Sequence, residues 1–238
     1  MKATVAQLVQ LPGVWRGGEL EHAAQPSVPT GHARLDRELP GGGWPSGTLT
    51  EVLHDAVGIG EVSLLAQALT RASEGGRHIT WIAAPHLPYA PALAQAGIPV
   101  ERCLVVRPGS REDALWAAEQ SLKSGACGAV LLWVERFAEE YAWLRRLQMA
   151  AQAGRCLAVL YRSTAAVRHA SPAHLRVVLS REAGQLAVRI PKRRGPPLVQ
   201  PIRLALAVHP SLAVAADAGE TVVHPLPLAS RRAQSAGH

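Results

Sequence analysis

Thr48-Leu49-Thr50-Glu51-Val52-Leu53-His54-Asp55-Ala56-Val57-Gly58-Ile59-Gly60-Glu61-Val62-Ser63-Leu64-Leu65 reads as a strand, a loop and the start of a helix. Leu49 to Leu53 has the compact apolar character of a buried strand. His54 to Gly60 is a loop, and from Glu61 to Ser73 the apolar Val62, Leu64, Leu65, Ala68 and Leu69 recur at helical spacing. The same alternation continues downstream. Strands are expected at Ile79–Ala84, Cys103–Val106, Ala129–Val134 and Cys156–Tyr161. Helices are expected at Pro88–Ala96, Arg111–Ser124 and Glu139–Ala153, with Ser110 capping the second and Gly154 closing the third. Strands that alternate with helices imply an α/β fold with a mainly parallel sheet covered on both faces.

The pattern changes after Tyr161. Leu175–Ser180 and Gln185–Ile190 read as two strands of an antiparallel hairpin joined by Arg181-Glu182-Ala183-Gly184, with a further strand at Ile202–Val208. Upstream, Thr30 to Gly47 is rich in turn residues around a short helix at Ala33–Leu39. Three regions follow: an arm at 1–28, a core at 29–214 and a polar tail at 215–238 expected to be flexible.

Composition narrows the class. The chain has 238 residues, 48% of them hydrophobic but only 4% aromatic, so its core rests on Ala, Leu and Val. No run approaches the ~18 apolar residues of a membrane helix, and the N-terminus lacks the apolar stretch of a signal peptide. Cys103, Cys127 and Cys156 lack metal or redox spacing and read as small buried hydrophobes in a reducing compartment, so a cytoplasmic location is expected. Net charge is +7, yet the stretch from Arg155 to Ala207 holds ten basic residues against the single acid Glu182. Such a basic half on a near-neutral body suits a polyanion, the alternative being a solvated arginine-rich surface.

The opening loop stands where a phosphate-binding GxxxxGK[ST] loop would stand. That motif cradles phosphates with backbone N–H groups, reaches the terminal ones with Lys, and holds Mg²⁺ with a hydroxyl. With Gly60 in the second glycine position, Asp55 takes the first, Glu61 the lysine and Val62 the hydroxyl position. A shift by one residue does not restore the motif, and the three lysines (Lys2, Lys123, Lys192) all lie elsewhere. Asp55, Gly58, Gly60, Glu61 and Val62 therefore form a degenerate nucleotide loop whose carboxylates repel a triphosphate. No cofactor is expected, and no histidine has zinc-type spacing with cysteine.

Pro29-Thr30-Gly31-His32-Ala33-Arg34-Leu35-Asp36, followed by Leu39-Pro40-Gly41-Gly42-Gly43-Trp44-Pro45-Ser46-Gly47, resembles the segment through which RecA-family proteins enter their ATPase core. The version here, GGGWPSG with LTEVL and GIGEVSLL, resembles the ImuA family, RecA-like accessory proteins of bacterial damage-induced translesion synthesis. The resemblance covers roughly Thr30 to Leu206. It implies a RecA-like core in which two more ATPase positions are altered. Ala84-Pro85-His86 stands where an acidic residue activates water, and Val130-Leu131-Leu132 runs into Trp133 where an Asp supports Mg²⁺.

The resemblance also implies partners. Lys192, Arg193 and Arg194 resemble the basic loop that reaches a neighbour's nucleotide in RecA filaments, here expected on phosphates of single-stranded or primed DNA. Arg162, Arg168 and Arg176 fall near the segment of the DNA-contacting loops. Ser163–Ala173 is too short to copy both loops, which argues against RecA-like strand exchange. Trp15 and Arg16 lie in an arm of the kind that packs on the next subunit, so they are candidates for self- or partner association. Protein partners implied are an ImuB-like polymerase homologue, an error-prone DnaE-type polymerase and RecA itself. Two other functions stay open. Gly128 to Trp133 also resembles SulA, a cell-division inhibitor, implying a protein-interaction module without DNA binding. A residual ATPase recruiting Glu135 is the other.

Overall fold

The computed structural model describes residues 26–134, 140–196 and 198–206. Trp15 and Arg16, Glu135, most of the 1–28 arm and the 215–238 tail lie outside the described residues.

The body is one eight-stranded sheet between two helical layers. Strands β3 (Thr48–Leu53), β4 (His78–Ile82), β5 (Cys103–Val106), β6 (Cys127–Trp133), β7 (Leu157–Arg162) and β8 (Leu175–Glu182) run parallel. β9 (Gln185–Lys192) and β10 (Ile202–Leu204) add an antiparallel flank, giving the order β10-β9-β8-β3-β7-β6-β4-β5. The expected α/β fold with an antiparallel hairpin is thus observed. The hairpin turn is tighter than the four residues expected. Only Ala183 and Gly184 are unpaired, both at positive φ (46° and 77°), the backbone that a two-residue turn between twisted strands requires.

Alternation along each central strand divides the core. Leu131, Val159 and Tyr161 face a layer made by Leu64, Leu65, Leu69 and Leu93, from the segment after the β3 loop and from helices α2 (Ala66–Ala72) and α3 (Ala90–Gln95). Val130, Leu132, Ala158 and Leu160 face helices α4 (Arg111–Lys123) and α5 (Glu140–Gly154). Both faces are dry, which is why these strands read as continuous apolar runs; each fully buried Leu or Val contributes about 1.5–3 kcal/mol. Gln148 of α5 accepts hydrogen bonds from Thr48 Oγ1 (2.9 Å) and Leu49 N (2.8 Å), which fixes α5 over the start of β3.

Helix α4 begins as expected, with Ser110 Oγ accepting from Asp113 N at 3.1 Å. Two elements depart from expectation. The helix expected from Glu61 starts only at Ala66, preceded by a tighter 3-10 turn at Ser63–Leu65. Gly154 does not close α5 by a left-handed conformation; it lies inside the helix, and Arg155 takes the positive φ (51°). Gly154 serves close approach instead. A Cβ there would sit 1.7 Å from Leu122 O at the end of α4.

Before the sheet, a short helix α1 (Ala33–Asp36) is followed by β2 (Trp44–Pro45), which pairs with β1 (Ser27–Val28). Gly43 is required here, because a Cβ would lie 2.3 Å from Val28 O. Trp44 is then fully buried and anchors the GGGWPSG segment in the core.

Candidate functional site

The loops that follow β3, β4, β6 and β7 gather at the carboxyl ends of the parallel strands. In open α/β sheets this edge, where strand order reverses, holds ligands. Here β3 is the point of reversal, since the chain proceeds from it to β4 on one side and returns to β8 on the other.

The loop after β3 is closed by its own side chain. Glu61 is 6% exposed, and its carboxylate accepts Gly58 N at 3.0 Å and Gly60 N at 3.1 Å. Both glycines have positive φ (76° and 108°), which turns their amides toward it. These are the donors that a phosphate would claim in a phosphate-binding loop. The Glu61 carboxylate thus takes up two of the loop's own backbone donors. Asp55 is spent in a different way. Its carboxylate accepts Thr164 N (2.9 Å) and the Thr164 hydroxyl, and these bonds lower its pKa. Asp55 thereby ties the loop to the 3-10 segment Thr164–Arg168 that follows β7. Val62 is half-buried and packs against the core.

Beneath the loop, Trp81, Trp133 and Tyr161 stack across β4, β6 and β7, with centroids 5.9 and 4.4 Å apart and 12° between planes. His54 meets Tyr161 edge-on at 5.8 Å. Tyr161 donates to Glu61 O at 3.4 Å, and burial together with the Glu61 charge raises its pKa well above the usual phenol value. A cleft of about 250 Å³ opens beside this stack, lined by Val57, Pro85, Trp133 and Tyr161 among others. Pro85 and His86 line a smaller adjoining cavity with Glu61.

Two of the arginines expected on a DNA surface are inside. Arg162 is 3% exposed and Arg176 is 6% exposed. Both bind Glu51, a fully buried carboxylate in the central strand: Arg176 Nε lies 2.6 Å from it and Arg162 Nη1 3.4 Å. Ser171 Oγ donates to Glu51 at 2.8 Å, and Arg162 also pairs with Glu140. Arg176 donates to the carbonyls of Ala166 (2.5 Å), Val167 (3.3 Å) and His169 (3.1 Å), so it folds the segment after β7. These guanidiniums correct the sequence expectation. A buried ion needs a partner, so both arginines go to the carboxylate rather than to an open basic surface, while Arg162 also forms part of the lining of the 250 Å³ cleft.

The basic loop is partly committed as well. Arg193 donates to Glu38 O, Glu38 Oε2 (3.0 Å) and Pro196 O (2.7 Å), bracing the turn after α1. Lys192 donates to Ser171 O at 2.7 Å; burial, followed by the Arg176 charge, lowers its pKa. Arg194 is exposed and forms no side-chain bond among the described residues. Arg168 is likewise exposed. The structure thus separates four expected contacts into two braces, Lys192 and Arg193, and two outward cations, Arg194 and Arg168. Sequence reasoning missed Glu51 as the hub. Its signal was a lone charge in a strand otherwise made of Thr, Leu and Val.

No family model matches the chain. SulA from Edwardsiella piscicida, named as a cell division inhibitor, is 36% identical over 97 residues, spanning 41% of this chain and 56% of that protein. RecA from Thermus aquaticus is 30% identical over 119 residues, spanning 50% of this chain and 35% of RecA. RecA 1 from Myxococcus xanthus is 29% identical over 116 residues, spanning 49% and 34%. The chain is related to RecA and SulA. Its match spans about half of this SulA and about a third of each RecA. A solved SulA structure from Pseudomonas aeruginosa is 27% identical, with a TM-score of 0.41, covering 50% of this chain and 99% of that one. For a RecA/SulA-like chain, the loop after β3 is the position to compare with the RecA phosphate loop, and there it carries Glu61. Among the described residues no group of His, Cys, Asp or Glu is arranged to hold a metal, and no helix is long and apolar enough to cross a membrane.

Proposed function

We propose that this RecA/SulA-like chain is a non-catalytic accessory protein of damage-induced translesion DNA synthesis, which binds DNA and bridges to a polymerase assembly. The observation that carries the non-catalytic part is the Glu61 carboxylate on the amides of Gly58 and Gly60. A triphosphate entering this loop would have to expel a buried charge from its own hydrogen bonds. Kinship with RecA and SulA supports a role in the response to DNA damage. The ImuA resemblance supports the polymerase partners, an ImuB-like homologue and an error-prone DnaE-type enzyme, with RecA as a third.

DNA would lie on the basic loop after β9, with the outward Arg194 as the central contact and, beside it, Lys192, which is exposed and keeps further N–H donors beyond the one given to Ser171 O. Phosphate contacts of this kind release counterions, so affinity falls steeply with salt. The test is fluorescence anisotropy of a labelled single-stranded oligonucleotide across a salt series, with and without Mg-ATP. Salt-sensitive binding that ignores ATP, and that weakens in Lys192→Ala/Arg194→Ala, supports the proposal. Binding that needs ATP overturns the reading of a loop closed to nucleotide, and release of phosphate from ATP overturns the non-catalytic part. Arg193 is left unchanged because it braces Glu38.

A second reading is a SulA-like interaction module without DNA binding. Edge strand β5 favours it, because among the described residues it leaves one side unpaired and exposes Leu104 (43%) and Val105 (42%), which suits addition of a partner's strand. Absence of oligonucleotide binding at low salt would select this reading.

A further inference from the structure

A groove of about 430 Å³ crosses the antiparallel flank, within the range of about 300–1,000 Å³ usual for ligand clefts. One wall is the 3-10 segment after β7, with Thr164, Val167 and Arg168; the other is Leu198–Pro201, which leads into β10. Val178 of β8 and Ile190 of β9 form the floor, with Arg189 beside them. The exposed walls are aliphatic: Val167 is 40% exposed and Val199 86%.

Arg168 and Arg189 line this groove, and among the described residues no carboxylate does. Arg168 makes no side-chain bond among the described residues, while Arg189 is steadied by Glu182 at 3.1 Å and stays 62% exposed. The cleft of about 450 Å³ differs in having carboxylates in its own lining, where Asp36 and Glu38 stand with Arg37, Arg193 and Arg194.

We propose that the 430 Å³ groove docks a protein segment in which carboxylates flank aliphatic side chains. Two features select that occupant. The guanidiniums call for an anionic partner, and complementary charge raises both encounter rate and selectivity. Among the described residues the lining holds branched aliphatic residues and prolines but no aromatic ring, so successive bases find no surface there on which to stack. A peptide satisfies both features, its aliphatic side chains seated between Val167, Leu198 and Val199 and its carboxylates on Arg168 and Arg189. Because Asp55 joins the loop to Thr164 at the same wall, the occupant would also rest on the segment that Asp55 holds.

The test is anisotropy of a short labelled peptide of glutamate and leucine residues, run beside its glutamine–leucine counterpart, on wild type, Arg168→Glu and Val199→Asp. Both positions are exposed, so melting temperature should not change. The proposal expects the acidic peptide to bind at least ~10-fold more tightly than the glutamine version, and each substitution to weaken it roughly fivefold or more. Three results would overturn it: no binding of the acidic peptide, equal binding of both peptides, or affinity unaltered by both substitutions. Displacement of the peptide by oligo(dT), with oligo(dT) affinity itself lowered by Val199→Asp, would also overturn it by giving the groove to nucleic acid. The Lys192→Ala/Arg194→Ala variant reads the DNA proposal separately, since neither residue lines this groove.

Discussion

Arg176 Nε lies 2.6 Å from Glu51 Oε2 in the middle of the sheet, with both side chains under a tenth exposed. The pair sits between two parallel strands, Glu51 on β3 directly opposite Arg176 on β8. It therefore joins the central sheet to its antiparallel flank by charge as well as by backbone.

Removing Arg176 leaves Glu51 with only the more distant Arg162 and the Ser171 hydroxyl. Arg176→Ala is expected to cost about 3–5 kcal/mol of stability, measured by urea denaturation, because the Glu51 carboxylate keeps its burial and loses its closest partner. Glu51→Gln/Arg176→Met is expected to cost less than Arg176→Ala alone. A stable Arg176→Ala with weakened DNA binding would contradict the buried role.

Glu61→Ala should uncover the amides of Gly58 and Gly60. The expected loss is about 1–3 kcal/mol for each donor left unsatisfied in the loop. Titration with inorganic phosphate, followed through the two glycine amide resonances, should shift them in the variant and leave them unmoved in wild type. Shifts of equal size in wild type would mean that Glu61 does not hold the site.

His174 gives a pH signature. Burial, and after it the charges of Lys192 and Arg194, lowers its pKa below 6.5. Protonation is therefore harder in the folded chain than in the unfolded one. Stability from this residue is complete above the unfolded value of about 6.5, falls as pH drops toward the lowered folded value, and levels off below it. His174→Gln should flatten that part of the stability–pH curve, read from melting temperatures between about pH 7.5 and 5. An unchanged slope would assign the dependence to other groups.

Most of the sheet was legible because both its faces are dry. Runs such as Val130-Leu131-Leu132 have only one environment to enter, and the strands around them fall within about two residues of expectation. The end of α5 was misread for a physical reason. Gly154 looks like a terminator, yet its lack of a side chain lets Leu122 O approach, while Arg155 bears the left-handed turn. Charge was harder to read. Sequence counts cations but not their partners, so Arg162 and Arg176 counted toward a basic surface although Glu51 holds them inside. Glu61 was read as hostile to phosphate from its charge alone. That it bends back onto two glycine amides depends on the positive φ of Gly58 and Gly60, which only coordinates reveal.

That bend has a temporal consequence. A motor loop changes shape as its nucleotide is spent, and so carries a clock that sets how long a partner is held. If the loop is closed to nucleotide, as proposed, it has no such clock. Whatever docks on this chain would then be let go by a competitor, by a change of salt or by destruction of one of the two proteins.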